Sequence, residues 1–209
     1  GRVRMTTGRK PVSDNTTMSA ARSVHKAIAN LPQLEESRRQ MTSGREWDTE
    51  RLATLSAAER DVRPARVPKI KHQRKMVVSF DTSPSTVAWS GTGEVFAREV
   101  TKSRVMEGTV VQNSNGSLLD SSSTSAIEEA DIVVYLGDED GLAEFEKHVD
   151  REKAIIALCV SDSKEVRREP VERRSGGGWI YRSTGLPSDQ PAAWAQALVR
   201  ATKKLVNKW

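Results

Sequence analysis

Cysteine occurs once in this chain and histidine three times, and aromatic residues make up only 5% of it. The single thiol, Cys159, excludes an internal disulfide and a cysteine-rich zinc site, and its apolar surroundings read as a reduced core position. His25, His72 and His148 stand in unrelated contexts, with no metal or triad spacing among them. No apolar run reaches the roughly eighteen residues of a membrane-spanning helix, and no secretory apolar region opens the chain. Motifs that tie a fold to a reaction are also missing. There is no Gly-x-x-x-x-Gly-Lys-Ser/Thr, Gly-x-Ser-x-Gly, His-Glu-x-x-His or Cys-x-x-Cys. These absences predict no cofactor, no metal site and no evident small-molecule substrate, and they point away from an enzyme. Site residues that converge only in three dimensions would leave no such trace.

What the chain does have is charge, unevenly placed. Residues 1–75 carry 17 Lys/Arg against 8 Asp/Glu, whereas residues 76–209 carry 16 against 20. The division suggests a basic arm over 1–75 and a mildly acidic domain over 76–209. Within the arm, residues 1–19 have almost no large apolar side chains and cannot offset their own ordering entropy. Short helices are expected from Ser19 to Asn30, from Gln33 to Met41 and from Asp48 or Thr49 to Arg60. All are thinly apolar and need a partner surface. Arg60–Lys75 holds seven Lys/Arg against one Asp, with Pro64 and Pro68 favouring an extended path. A chain with a cation every second or third residue can follow a phosphate backbone. The residues expected to contact RNA phosphates are Arg2, Arg4, Arg9, Lys10, Arg63, Arg66, Lys69, Lys71, Arg74 and Lys75.

The domain is clearest over Ala126–Asp162. Two apolar, β-branched runs, Ile132–Leu136 and Ala154–Val160, flank an amphipathic stretch, Leu142–Val149, with Leu142, Phe145 and Val149 at helical spacing. Strand, helix, strand is a βαβ unit with parallel strands. Upstream, Met76–Phe80 reads as a strand ending at Asp81. Thr86–Trp89 and Glu94–Val100 read as two more strands around the Gly91–Gly93 turn, an antiparallel opening like that of ribonuclease-H-like folds. Asp81 itself reads as a turn former. Val105–Val111 is another possible strand, and Gln112–Ser125 a polar loop. The acids of Gly137–Gly141 complement the dipole of the helix that follows and repel phosphate. Ser175–Gly178 reads as a flexible turn before the strand Trp179–Tyr181. Pro191 opens a closing helix with an apolar stripe of Trp194, Ala197, Leu198, Ala201 and Leu205.

The expected fold is therefore α/β: a small mixed sheet with a βαβ unit and a closing helix, preceded by a long basic, partly helical extension. The expected function is a non-catalytic structural subunit of a large assembly, a ribonucleoprotein of the organellar-ribosome kind, whose arm meets RNA and neighbouring subunits. One alternative is an accessory subunit of an organellar membrane complex, or a capsid protein with a basic arm. Another is a small α/β nucleotide-binding enzyme using the loops after Leu136 and Val160. Cysteine usage and the basic arm favour a reducing compartment, the mitochondrial matrix or another organelle over the cytoplasm.

Overall fold

Alternation of buried apolar runs with amphipathic stretches builds a doubly wound α/β sheet. The computed structural model describes residues 14–29, 53–54, 56–58, 75–103, 106–162, 165–168 and 171–206. Two units are distinguished, residues 1–31 with 75–209, and residues 32–74. In the second, Ala53, Thr54, Ser56 and Ala57 are helical, and the Ala58 N–H donates to Thr54 O at 3.2 Å.

In the larger unit the elements are α1 (Asp14–Ala29), β1 (Lys75–Asp81), α2 (Ser90–Thr101), β2 (Glu107–Ser114), β3 (Ser117–Leu118), α3 (Ser121–Glu129) and β4 (Ile132–Gly137). They continue with α4 (Glu139–Glu146), β5 (Ala154–Val160), β6 (Arg167–Arg168), β7 (Glu172–Arg173), β8 (Trp179–Leu186) and α5 (Pro191–Val206). Five parallel strands run in the order β2-β1-β4-β5-β8. The two-residue strands β3, β6 and β7 add antiparallel pairs at the edges.

Both sheet faces are covered, which is why β4 and β5 are apolar at nearly every position. Met76, Val78, Phe80, Val134, Ile156 and Leu158 face α1, α2 and α5. Val77, Val133, Tyr135, Ile155 and Cys159 face α3 and α4, through Ile127, Leu142 and Phe145. The buried Cys159 is the expected core thiol. On the first face Trp194 meets Phe96 and Trp89 edge-on, with ring centres 5.5 and 5.8 Å apart. Its indole N–H donates to Pro187 O at 2.8 Å, which fixes the loop entering α5, and its ring contact with Trp89 ties the start of α2 to α5.

Four local expectations are corrected. Thr86–Trp89 is not a strand: Pro84–Thr86 is a 3-10 turn, continued by a turn into α2. Glu94–Val100 is the body of helix α2, because Gly93, Phe96, Ala97 and Val100 form one buried stripe at spacings of three and four. Arg98 and Glu94 pair across one turn of its outer face. The antiparallel opening is thus replaced by a parallel β1-α2-β2 unit. Gln112–Ser125 holds the end of β2, a tight turn at Asn115–Gly116 and the start of α3, capped when Asp120 accepts from the Ser123 N–H at 2.6 Å. Helix α1 begins at Asp14 rather than Ser19 and buries Ala20, Ala21, Val24 and Ile28 in the same core as α2 and α5. The helix expected at Gln33–Met41 lies outside the described residues.

The amino-terminal edge of the sheet is closed by two cations. The Lys153 ammonium donates to the carbonyls of Ile127, Glu128 and Ala130 at the end of α3. The Arg174 guanidinium donates to those of Glu146, Val149, Asp150 and Lys153 around the end of α4. Each satisfies carbonyls that a helix terminus leaves open.

Candidate functional site

The chain leaves β1 for β2 by way of α2 on one face, then returns past β1 to β4 by way of α3 on the other. The loops after β1 and β4 therefore diverge. In an open α/β sheet this switch point leaves a crevice at the carboxyl edge, the position where such folds hold ligands. The loop after β1 brings Asp81, Ser83 and Ser85 here, β2 brings Asn113 and its turn Asn115, and the end of β4 brings Asp138.

Asp81 is fully buried. Its Oδ1 accepts the backbone N–H of Ser83 at 2.7 Å and that of Asn115 at 3.1 Å, so the turn-forming role is real. Its Oδ2 is equally buried and has no partner among the described residues. Burying such an acceptor unpaired costs about 1–3 kcal/mol, more when it is charged, so it requires an explanation. The surroundings are fixed. Thr86 Oγ1 donates to the carbonyls of Asp81 and Ser83, locking the turn. Asn113 donates through Nδ2 to Ser79 Oγ at 2.8 Å and accepts the Gly116 N–H at 2.9 Å.

A hydroxyl chain borders Asp81. Ser85 Oγ donates to Asp138 Oδ2 at 2.5 Å, and Ser83 and Ser85 hydroxyls lie 2.9 Å apart. Ser85 has one proton, already directed at Asp138, so Ser83 must be the donor to Ser85. The open valences of Ser83, Asp138 and Asp81 are then all lone pairs. The site accepts hydrogen bonds and offers few.

Beneath it, Tyr135 donates to Asp138 O at 2.8 Å. Burial, reinforced by the charges of Asp81 and other acids, raises its phenol far above the ordinary tyrosine range, so it stays a neutral donor. The same ring explains the glycines of Gly137–Gly141. A Cβ at Gly137 would come within 2.4 Å of Tyr135 Oη, and one at Gly141 within 2.5 Å. The acids between them open α4, as their charge suggests. Among the described residues no group of three His, Cys, Asp or Glu side chains is placed to hold a metal ion.

Of the residues expected to contact RNA, Arg2, Arg4, Arg9, Lys10, Arg63, Arg66, Lys69, Lys71 and Arg74 lie outside the described residues. Lys75 alone of them is described. It opens β1 with its ammonium 2.7 Å from the Glu129 carboxylate, which raises its pKa. No described helix is long and apolar enough to cross a membrane.

No protein-family model and no curated protein matches the sequence. Two solved structures align along most of the chain. One is an NADPH-dependent glyoxylate/hydroxypyruvate reductase from Sinorhizobium meliloti in apo form, with 10% identity, 91% of this chain and 80% of that one covered, and a TM-score of 0.29. The other is a dehydrogenase from Rhizobium meliloti, with 13% identity, 97% and 63% coverage, and a TM-score of 0.27. This chain thus spans less than two thirds of the second protein. Likeness of this degree identifies neither the fold nor the reaction of this chain. The expectation of a non-catalytic structural, ribosomal or RNA-binding subunit finds no support among them: the two neighbours are a reductase and a dehydrogenase, and neither carries its reaction over to this chain. The carboxyl edge of the sheet also carries a buried carboxylate oxygen, Asp81 Oδ2, with no partner among the described residues. Of the expectations, the small α/β nucleotide-binding enzyme using the loop after Leu136 is the one that places a ligand site at this edge.

Proposed function

We propose that the crevice at the carboxyl ends of β1 and β4 binds a ribonucleoside-type small molecule by its sugar hydroxyls, as the ligand site of a small α/β enzyme. The observation that supports this reading most is the buried, unpartnered Oδ2 of Asp81 at the switch point. A lone-pair-rich site selects donors, and vicinal hydroxyls donating to a carboxylate are how doubly wound folds commonly hold a ribose. Bare phosphate is disfavoured at the same place, because Asp138, Glu139 and Asp140 crowd the β4 side with negative charge. Asp81 is the sugar acceptor in this reading. Ser83 and Asp138 are its auxiliaries, coupled through Ser85.

Thermal unfolding with adenosine, guanosine, cytidine and uridine tests the reading, with 2′,3′-dideoxyadenosine as the ligand that lacks the donors. A ligand at a hundred times its Kd adds about 2.7 kcal/mol, on the order of 5–10 °C in Tm for a domain of this size. At least one ribonucleoside is expected to give such a shift, and the dideoxy compound none. If all four leave Tm unchanged at saturating concentration, or the dideoxy compound matches adenosine, the assignment is wrong.

A further inference from the structure

The edge between β8 and α5 has the opposite hydrogen-bonding character. Tyr181 and Ser183 sit two residues apart on β8 and are both fully buried, yet Tyr181 Oη and Ser183 Oγ have no partner among the described residues. Alternation directs both toward α5, since Ile180 packs on the α4 side and Arg182 reaches Glu146 of α4 and Glu172 of β7. On α5, the Arg200 Nε is likewise buried and unpartnered. Lys204, one turn further, lies with its ammonium 5.5 Å from the centre of the Tyr181 ring.

These four groups fall into register. Helix α5 starts beside the end of β8, where Trp194 binds Pro187 O, and runs back along the strand to Lys204 at Tyr181. Four helical residues rise about 6 Å, and two strand residues advance about 6.6 Å. Lys204 level with Tyr181 therefore puts Arg200 level with Ser183. Pairing of β5 with β8 slips between Ser183 and Leu186, where Gly185 has φ 70°, a bulge beside Ser183. The field is positive, since from Pro191 to Trp209 there are four Lys/Arg and no Asp/Glu. Arg167 of β6 pairs with β8 opposite Thr184.

We propose that Tyr181, Ser183, Arg200 and Lys204 form an oxyanion site, taking a phosphate or phosphoryl group between β8 and α5, separate from the Asp81 crevice. Three buried proton donors are open at once: a phenol, a hydroxyl and a guanidinium Nε. One tetrahedral oxyanion can accept from all three, while Lys204 adds charge at the exposed rim. A bland account, in which the hydroxyls are tolerated defects of packing, would leave three such defects along one seam. At about 1–3 kcal/mol each they would consume much of a small domain's stability.

Titration of the full chain with inorganic phosphate at constant ionic strength, with chloride as the matched control, tests this. The wild type is expected to gain several degrees in Tm with phosphate over chloride. Tyr181→Phe, which removes one oxygen from an otherwise unchanged ring, is expected to lose at least half of that gain. Arg200→Gln should abolish it. Adenosine 5′-monophosphate against adenosine distinguishes a phosphoryl group from the free ion, because either outcome with phosphate retained supports the site. The proposal is overturned if phosphate and chloride act alike on the wild type. It is equally overturned if Tyr181→Phe and Arg200→Gln, both folded by circular dichroism, keep the full phosphate gain.

Discussion

At the amino-terminal edge of the sheet, Lys153 and Arg174 meet seven backbone carbonyls between them. At the carboxyl edge, Asp81 keeps an oxygen buried with no partner among the described residues, beside a serine pair whose protons are already engaged, Ser83's by Ser85 and Ser85's by Asp138. The two edges are built from similar material, charged side chains and the ends of the same strands. They differ in how far their charged groups are answered from within the chain: Lys153 and Arg174 are, although the His148 Nε2 at the same edge has no hydrogen-bond partner among the described residues. An edge whose charged groups are answered contributes stability, and one that leaves a buried carboxylate oxygen open is arranged for something it does not contain.

The comparison can be broken by substitution. Arg174→Ala strips four carbonyls of a charged donor and is expected to have the largest effect, a loss of about 3 kcal/mol in urea unfolding. A loss under about 1 kcal/mol would mean that water replaces the clamp. Gly137→Ala forces a methyl into the Tyr135 hydroxyl and should cost about 2 kcal/mol by overpacking. Lys153→Met keeps the aliphatic stem but not the cap of α3, with an expected cost of about 1–2 kcal/mol.

Asp81→Asn should run the other way. Its Oδ1 still accepts from Ser83 and Asn115, while the unpaired charge is gone, so stability without ligand should be unchanged or higher by about 1 kcal/mol. A clear destabilisation would place Asp81 with the structural residues. The smallest effect is expected from pH. Bonds from Ser122 and Ser123 depress the Asp120 pKa below the usual value of 3.8. A depressed carboxylate contributes stability above its unfolded pKa, and that contribution disappears as pH falls through the lower, folded value. The acid limb of the stability profile should therefore flatten slightly in Asp120→Asn, and an unchanged limb would remove the cap from the account.

Much of this architecture was legible where burial writes directly into sequence. The runs Ile132–Leu136 and Ala154–Val160 are buried on both sides, and α5 carries its stripe from Trp194 to Leu205. Helix α2 was hidden because glycine, threonine and valine in Ser90–Thr101 weigh toward turn and strand. Only the spacing of Phe96, Ala97 and Val100 gave it away. Helix α3 was hidden by its serines, with Ile127 as its one large buried apolar anchor, although the Asn115–Gly116 turn and the Asp120 cap were readable signals. The site was legible only on its β4 side, where the loop after Leu136 was a candidate. Asp81 was visible as a turn former, but its second oxygen becomes significant only once β1 is known to lie between β2 and β4. Strand order is a tertiary fact. Charge counting drew attention to Lys75 as an RNA contact, and its ion pair with Glu129 could be seen only in the structure.

Equilibrium binding of the four ribonucleosides to the wild type and to Asp81→Asn, by isothermal calorimetry at matched pH and salt, tests the central claim most directly. The account predicts that at least one binds the wild type and that the substitution weakens it by tenfold or more, with no loss of folded stability. Binding that is undiminished in Asp81→Asn, or absent for all four in the wild type, would contradict it.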